Sequence, residues 1–251
     1  MTQKGTLFLL PNTLGNHSDT SDILQHIIPE QVQQRTTGLR YLIAENAKTA
    51  RAHLKLVANR HPLQTTLQEI RISELNINTP ANALDALLEP LLNGEDAGLI
   101  SEAGVPAVAD PGAALVRLAH QRGITVRPLV GPSSLLLAVM GSGLNGQSFA
   151  FHGYLPTDAA QRAKRIKELE ERSRKEKQTQ LFIETPYRNA AFLEALLQHC
   201  NPSTSVCIAT DLTLDTESLQ TRTAAEWKKH IASAGQPDFH KKPTVFLFLA
   251  A

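Results

Sequence analysis

Apolar residues along this chain cluster in two alternating ways. Short runs bounded by turn formers predict buried strands: TLFLL at Thr6–Leu10, RYLIA at Arg40–Ala44, AGLI at Ala97–Ile100 and ITVRPL at Ile124–Leu129. Gln68–Leu75 is a further strand candidate. Between them, apolar residues recur every three or four positions, which predicts helices over Asp19–Ile28, Ala47–Ala58, Pro80–Leu92 and Ala113–Gln121. Gly94 and Gly123 follow the last two as stop signals. The apolar segment Leu135–Met140 reads as one more helix, and Phe149–Pro156 as a strand leading into a linker. A second set follows: strands over Gln180–Glu184, Ser205–Ala209 and Thr244–Leu249, and helices over Asn189–His199 and Ala224–Ala234. Phe246–Leu249 is a candidate sheet edge. Strands alternating with helices predict an α/β protein. The pattern divides into an N-terminal α/β domain over residues 1–148, with a mostly parallel sheet, and a C-terminal α/β domain over 149–251.

Composition narrows this little. With 42% apolar residues in 251, the chain can bury a core, and its net charge of +1 gives no global pull towards nucleic acid. Residues 1–5 are polar, without the apolar region of a secretory signal, and no window approaches a membrane span. A cytoplasmic protein with no membrane association is expected. Cys200 and Cys207 have no Cys/His partner set around them, so neither a disulfide nor a metal site is expected.

Ligands of open α/β sheets sit beyond the carboxyl ends of the strands. Three loops of the first half qualify, Pro11–Asn16, Ser101–Gly112 and Gly131–Ser134, all built of small residues and turn formers. Small side chains let a ligand reach the backbone, although tight connections between strand and helix need the same residues. Gly141–Gly146 (GSGLNG) matches the dinucleotide pattern by letter but follows a helix and precedes a strand, so it reads as a helix stop and turn. His152, beside Gly153, is the histidine nearest the domain joint and reads as structural. Arg162–Lys177 holds eight Lys/Arg and four Glu. Mixed signs at helical spacing favour a solvated face over a phosphate-tracking one.

Several of these segments, taken in order, resemble one family. ISEAGVPAVADPG, then VRPLVGPSSLLLAVMGSGL, then FAFHGYLP resemble the tetrapyrrole methylases. The likeness is greatest to the branch that methylates a ribose 2′-hydroxyl of small-subunit rRNA, with its S-D-A-G-T-P-x-x-x-D-P-G, P-G-P and G-(F/Y)-L-P. LFLLPNTLGN is similar to that branch's strand followed by P-T-P-I-G-N, and LFIETPYR to its F-Y-E-S-x-H-R.

The resemblance implies two α/β domains with a cleft between them that holds S-adenosylmethionine (SAM). Leu14 would lie in the first loop of that site, and Ala103, Gly104, Val105 and Val108 would line the methionine and ribose side. Ser133 and Ser134 would meet the cofactor after the Gly-Pro turn; Glu184, Leu212, Pro243 and Thr244 would meet the adenosine end. It also implies a homodimer, with rRNA or the small ribosomal subunit as partner. Charged positions depart from the branch. A-E-D-T-R is here AENAK (44–48), A-R-E-L-T-K is ATDLTL (209–214), K-G-E-M is represented by HKKPT (240–244), and the Asp of S-D-A-G is Glu102. A ribose hydroxyl needs its proton accepted during methylation, and Glu45 is the preferred base, with Glu102 the other acidic candidate. Methylation of a tetrapyrrole or other small metabolite, and SAM binding without catalysis, stay open as alternatives.

Overall fold

The computed structural model describes residues 3–15 and 23–251 and divides into two compact units, up to Ser133 and from Ser134 onward. The expected helix at Asp19–Ile28 falls partly outside the described residues.

In the first unit the chain runs through β1 (Thr6–Leu10), α1 (Ile23–Ile27), α2 (Glu30–Thr37), β2 (Tyr41–Ala44), α3 (Ala47–Ala58) and β3 (Arg71–Glu74). A short 3₁₀ turn then leads into α4 (Leu84–Leu92), followed by β4 (Ala97–Ile100), α5 (Gly112–Gln121) and β5 (Thr125–Pro128). The sheet order is β3-β2-β4-β1-β5, and every pairing is parallel. Alternate strand residues feed opposite faces, as the pleat requires. Leu7, Tyr41, Ile43, Ala97 and Leu99 pack with Leu84 and Leu88 of α4 and Leu115 of α5. Phe8, Leu10, Leu42, Ala44 and Ile100 pack with Ala50 and Leu54 of α3. Burial on both faces explains why these strands read as continuous apolar runs.

The second unit comprises α6 (Ser134–Ser142), β6 (Phe149–Phe151), α7 (Ala159–Glu176), β7 (Thr179–Ile183), α8 (Asn189–His199), β8 (Ser205–Thr210), β9 (Ser218–Thr223), α9 (Ala224–Ala234) and β10 (Thr244–Leu249). It takes in α6, which the sequence pattern groups with the first half. Helix α6 packs on β9 and β10. Gly141 permits that approach, because a Cβ there would lie 2.4 Å from Leu219 Cδ1. Gly143, at φ +69°, turns the chain out of α6, so the GSGLNG segment is the helix stop that its context predicts.

The second sheet has the order β6-β7-β10-β8-β9 and is mixed: β6 and β7 are parallel, whereas β10 is antiparallel to both β7 and β8. The expectation of an edge at Phe246–Leu249 is therefore wrong. β10 lies inside the sheet, and Phe246, Leu247 and Phe248 are fully buried. The run TVFLFL does not alternate because both its faces are covered. On one face Phe182, Val206, Ile208, Phe246 and Phe248 meet Phe192 and Leu196 of α8 and Trp227 of α9. Both cysteines are free and buried, their thiols pushed up to about 12 (Cys200) and about 11 (Cys207), chiefly by burial.

Helix α7 carries part of its charge in exposed pairs: Arg165–Glu168, Arg172–Glu176, and Glu171 with both Arg174 and Lys175. That is the solvated-face reading of the basic segment, and such exposed pairs contribute little stability. His152 is bonded through Nε2 to Gln180 Oε1 at 2.6 Å and stacks on Phe182, which is a structural role.

One buried amide organises the approach to β10. Asn189, 1% exposed, places Nδ2 at 2.9 Å from both Phe239 O and Lys242 O and at 3.1 Å from Thr244 Oγ1. Replacing it with Ala removes one hydrogen bond from each of these acceptors, which keep Lys242 N–H, Thr244 Oγ1 and Thr210 Oγ1 as their other partners. We expect a loss of about 2 kcal/mol, since each such bond contributes ~0.5–1.5 kcal/mol. Urea unfolding followed by fluorescence of the single tryptophan, Trp227 in the core of this unit, measures it; an unchanged midpoint would show the amide to be dispensable.

Candidate functional site

The strand order of the first unit creates one place where ligands are favoured. β1 and β4 are neighbours, but the chain leaves β1 towards β2 and leaves β4 towards β5, on opposite sides. Their connections leave for opposite faces of the sheet, and in such sheets the crevice that takes ligands lies beyond the two carboxyl ends. The loop after β5, on the far side of β1, closes the flank.

Two of the residues expected to bind the cofactor, Gly104 and Leu14, meet here. Gly104 takes φ +67°, in the left-handed region, and the position of its missing Cβ lies 3.1 Å from Leu14 Cδ2 and 3.4 Å from Pro132 O. The loops after β1, β4 and β5 thus converge on this glycine, which gives it a packing reason as well as a conformational one. Ala103 and Val105 flank it. Gly131 is constrained by space instead, since a Cβ would sit 2.0 Å from Pro11 Cβ. Further along the β4 loop, Ala107 (φ +65°) and Ala109 (φ +61°) are both left-handed, and between them Val108 is held 47% exposed. Left-handed alanines cost of order 1–2 kcal/mol each, so surrounding bonds must hold them. Asp110 does so: its two carboxylate oxygens accept Ala107 N–H at 2.8 Å and Gly112 N–H at 2.7 Å as α5 begins. Ser133 and Ser134, half-buried, end one unit and begin the other.

Carboxylates edge this loop. Glu45, just past β2, accepts Glu102 N–H at 3.2 Å. Burial raises its pKa; that hydrogen bond opposes the rise, and the charges of Glu102 and Asp110 add to it. Burial likewise raises Asp110, against its two backbone hydrogen bonds. Two departures from the rRNA-branch pattern touch each other here. Asn46 caps α3, accepting Lys48 N–H at 2.9 Å, and donates through Nδ2 to Glu102 Oε1 at 3.2 Å. An aspartate at 46 would face Glu102 with like charge.

In the second unit, the expected adenosine-end residues line up across the sheet. Glu184 follows β7, Thr244 opens β10 and Thr210 closes β8; Val245 pairs with Ile183, and Thr244 with Thr210. Leu212 and Pro243 belong to the same end, where Asp211 N–H donates to Pro243 O at 3.0 Å. The loop after β8 is strained, with Asp211 at φ +52° and Thr213 at φ +74°. Glu184 is buried and engaged: Oε1 accepts Thr185 N–H at 2.8 Å, and Oε2 lies 3.3 Å from Arg188. Thr244 Oγ1 is engaged by Asn189 and Thr210, 3.1 and 3.2 Å away, which leaves the backbone as what these two positions offer a ligand. Sequence reasoning gave no role to Asp110, Asn12 or His53. The signal for Asp110 was in its ADPG motif; the other two partners lie far apart in sequence.

The residues of the first-unit crevice fit SAM in kind. Short apolar side chains at Ala103, Val105 and the outward-held Val108 suit its aliphatic chain. Carboxylates at 45, 102 and 110 suit a sulfonium charge.

The family model for tetrapyrrole (corrin/porphyrin) methylases matches residues 14–227. The ribosomal RNA small subunit methyltransferase I of Xylella fastidiosa is 30% identical over 233 residues, 93% of this chain and 78% of that protein. Its namesake in Vibrio cholerae is 33% identical over 187 residues, 71% of this chain and 62% of that protein. In fold, the methyltransferase CobJ superposes with a TM-score of 0.60 at 14% identity, covering 98% of this chain and 95% of that one. With the model match running through both units, the chain belongs to the tetrapyrrole (corrin/porphyrin) methylases.

Proposed function

We propose that this methylase uses SAM to methylate a ribose 2′-hydroxyl in small-subunit ribosomal RNA. The observation that carries the reading is the crevice between the loops after β1 and β4, converging on left-handed Gly104 and edged by Glu45, Glu102 and Asp110. The relatives named for rRNA methylation support the choice of acceptor. The family resemblance further supports a homodimer working in the cytoplasm. Among the described residues no helix is long and apolar enough to cross a membrane.

SAM, when bound, supplies a methyl group already activated on its sulfonium. The chain's own task is to orient and to move a proton. In this proposal Leu14, Ala103, Gly104, Val105, Val108, Ser133 and Ser134 hold the methionine and ribose side, and Glu184, Leu212, Pro243 and Thr244 the adenosine end. Holding the reactants in line supplies much of the acceleration. Glu45 accepts the proton of the attacking hydroxyl; its raised pKa makes it a stronger base than an exposed carboxylate.

Calorimetry with S-adenosylhomocysteine tests the cofactor assignment. Wild type should bind at micromolar strength. Gly104→Trp should abolish binding, and Val108→Arg, at an exposed position, should abolish it with the melting temperature kept. Binding left intact in both variants would move the cofactor elsewhere. Small-subunit rRNA from cells lacking the protein should miss one 2′-O-methyl. Intact rRNA methylation, with methyl transfer onto extracted small metabolites, would assign the acceptor to those instead; cofactor binding with no acceptor at all would leave a binding module.

For Glu45 the sign follows from its raised value. The reaction needs the carboxylate, so the rate should climb as pH rises through a value above the ordinary ~4.3. Ionised Glu45 also costs stability: the contribution of its protonated form is complete below the unfolded pKa and is lost as pH rises through the folded one. Glu45→Gln should therefore lose turnover, keep cofactor affinity, and gain melting temperature over wild type at pH 7 but not at pH 4. Undiminished turnover on the true substrate would remove Glu45 from the chemistry.

A further inference from the structure

The crevice holds a buried polar pair that the methylation reading leaves unused. Asn12 follows β1 and is 4% exposed; His53 lies on α3 and is 3% exposed. Asn12 Nδ2 donates to Ser101 O at 3.2 Å and to Glu102 O at 3.0 Å, the first two carbonyls beyond β4. Its Oδ1 accepts Thr13 N–H at 2.9 Å. That set fixes the amide's orientation, since a reversed amide would turn its oxygen towards two carbonyl oxygens. His53 Nδ1 lies 3.1 Å from the same Oδ1 and must therefore be the donor, which fixes the Nδ1–H tautomer. Burial pushes its pKa down to about 4, keeping the ring neutral. The backbone completes the clasp: Asn12 N–H donates to Gly104 O at 2.8 Å, and Gly104 N–H to Thr13 O at 3.1 Å.

We propose that Asn12 and His53 are positioning residues for the cofactor loop: His53 orients the Asn12 amide, and Asn12 fixes residues 101–104 across the crevice between β1 and β4. The inference rests on the methyltransferase reading of this crevice. A buried polar network is an expensive way to fill space that a leucine would fill, and it confers a fixed geometry only when every member is satisfied. Here the members are bonded to one another and to the strained loop that carries Ala103, Gly104 and Val105, not to the core beneath it. Neither residue touches the expected reacting atoms. Both act through Gly104, which needs its left-handed conformation held from both sides.

The test compares Asn12→Ala, His53→Phe, His53→Asn and, as a control on the opposite face of the same sheet, Leu88→Val. Asparagine at 53 offers an N–H where imidazole Nδ1 stands; phenylalanine offers none. Each variant is measured for melting temperature, for S-adenosylhomocysteine affinity by calorimetry, and for amide exchange over residues 101–109 without ligand. We expect Asn12→Ala and His53→Phe to weaken binding tenfold or more and to speed exchange at 102–105. His53→Asn should stay within threefold of wild type on both. Leu88→Val should lower the melting temperature without moving either. The proposal is overturned if Asn12→Ala and His53→Phe lose only melting temperature, or if Leu88→Val weakens binding as much. Failure of wild type to bind would overturn the cofactor reading itself, and cofactor positioning with it, while faster exchange at 102–105 would then still locate the clasp.

Discussion

The first unit depends on a topological constraint: two neighbouring parallel strands whose connections must leave in opposite directions. β1 and β4 share a register from Leu7↔Ala97 to Leu10↔Ile100, and then their chains part. Parallel strands end with backbone groups that the ladder no longer pairs, and at a parting point no adjacent loop covers them. The chain meets this with one side chain of the right reach, Asn12, which donates to two of the exposed carbonyls. Everything else at the crevice follows from that closeness. Gly104 takes a left-handed φ with Leu14 and Pro132 packed close to it, and Gly131 must lack a Cβ because Pro11 occupies its place.

The strain in the β4 loop has the same origin. A loop held at both ends, by Asn12 at residues 101–102 and by Asp110 at residues 107 and 112, has few residues in which to reverse. It does so with Gly104, Ala107 and Ala109 at positive φ. Two of those three are not glycine, so the bonds at either end offset a real conformational cost. The result is an apolar side chain, Val108, turned outward, a position in which folding alone gains nothing from it.

Much of this was legible in the sequence, and the illegible parts share a cause. Strands buried on both faces announced themselves as apolar runs cut off by Gly or Pro. Ser218–Thr223 (SLQTRT) did not, because an edge strand paired only with β8 has no need of a run. Helix α2, EQVQQRTT, was hidden similarly: its buried face includes Gln33, Thr36 and Thr37, polar residues that bond the backbone rather than mark a stripe. Thr244–Leu249 is the strand its pattern predicts, but Phe246–Leu249 is not the expected edge: an unbroken apolar run marks an interior strand. The loops of the site were visible by composition, whereas the Asn12–His53 pair was not: its partners lie 41 residues apart in sequence, and Asn12's acceptors 89 and 90 residues away. Hydrogen bonds between distant loops leave no periodic trace.

The departures from the rRNA-branch pattern also become interpretable as a set. Asp to Asn at 46 and Asp to Glu at 102 look like two independent losses of register with the family, yet the two side chains are bonded to each other. The longer Glu102 reaches back to α3, and the amide at 46 supplies the donor that a carboxylate lacks, while still capping the helix. Removing the charge at 46 has a consequence for Glu45. Its pKa is already raised by burial and by Glu102 and Asp110, and a third neighbouring anion would lift it further. Asn46 therefore lessens the anionic crowding on the proposed base, in a site that keeps a carboxylate at 102 and gives up the one at 46. The loss of that one charge leaves Glu45 in place with less repulsion around it, so the altered letters of AENAK do not by themselves argue against a methyl transfer that needs a base.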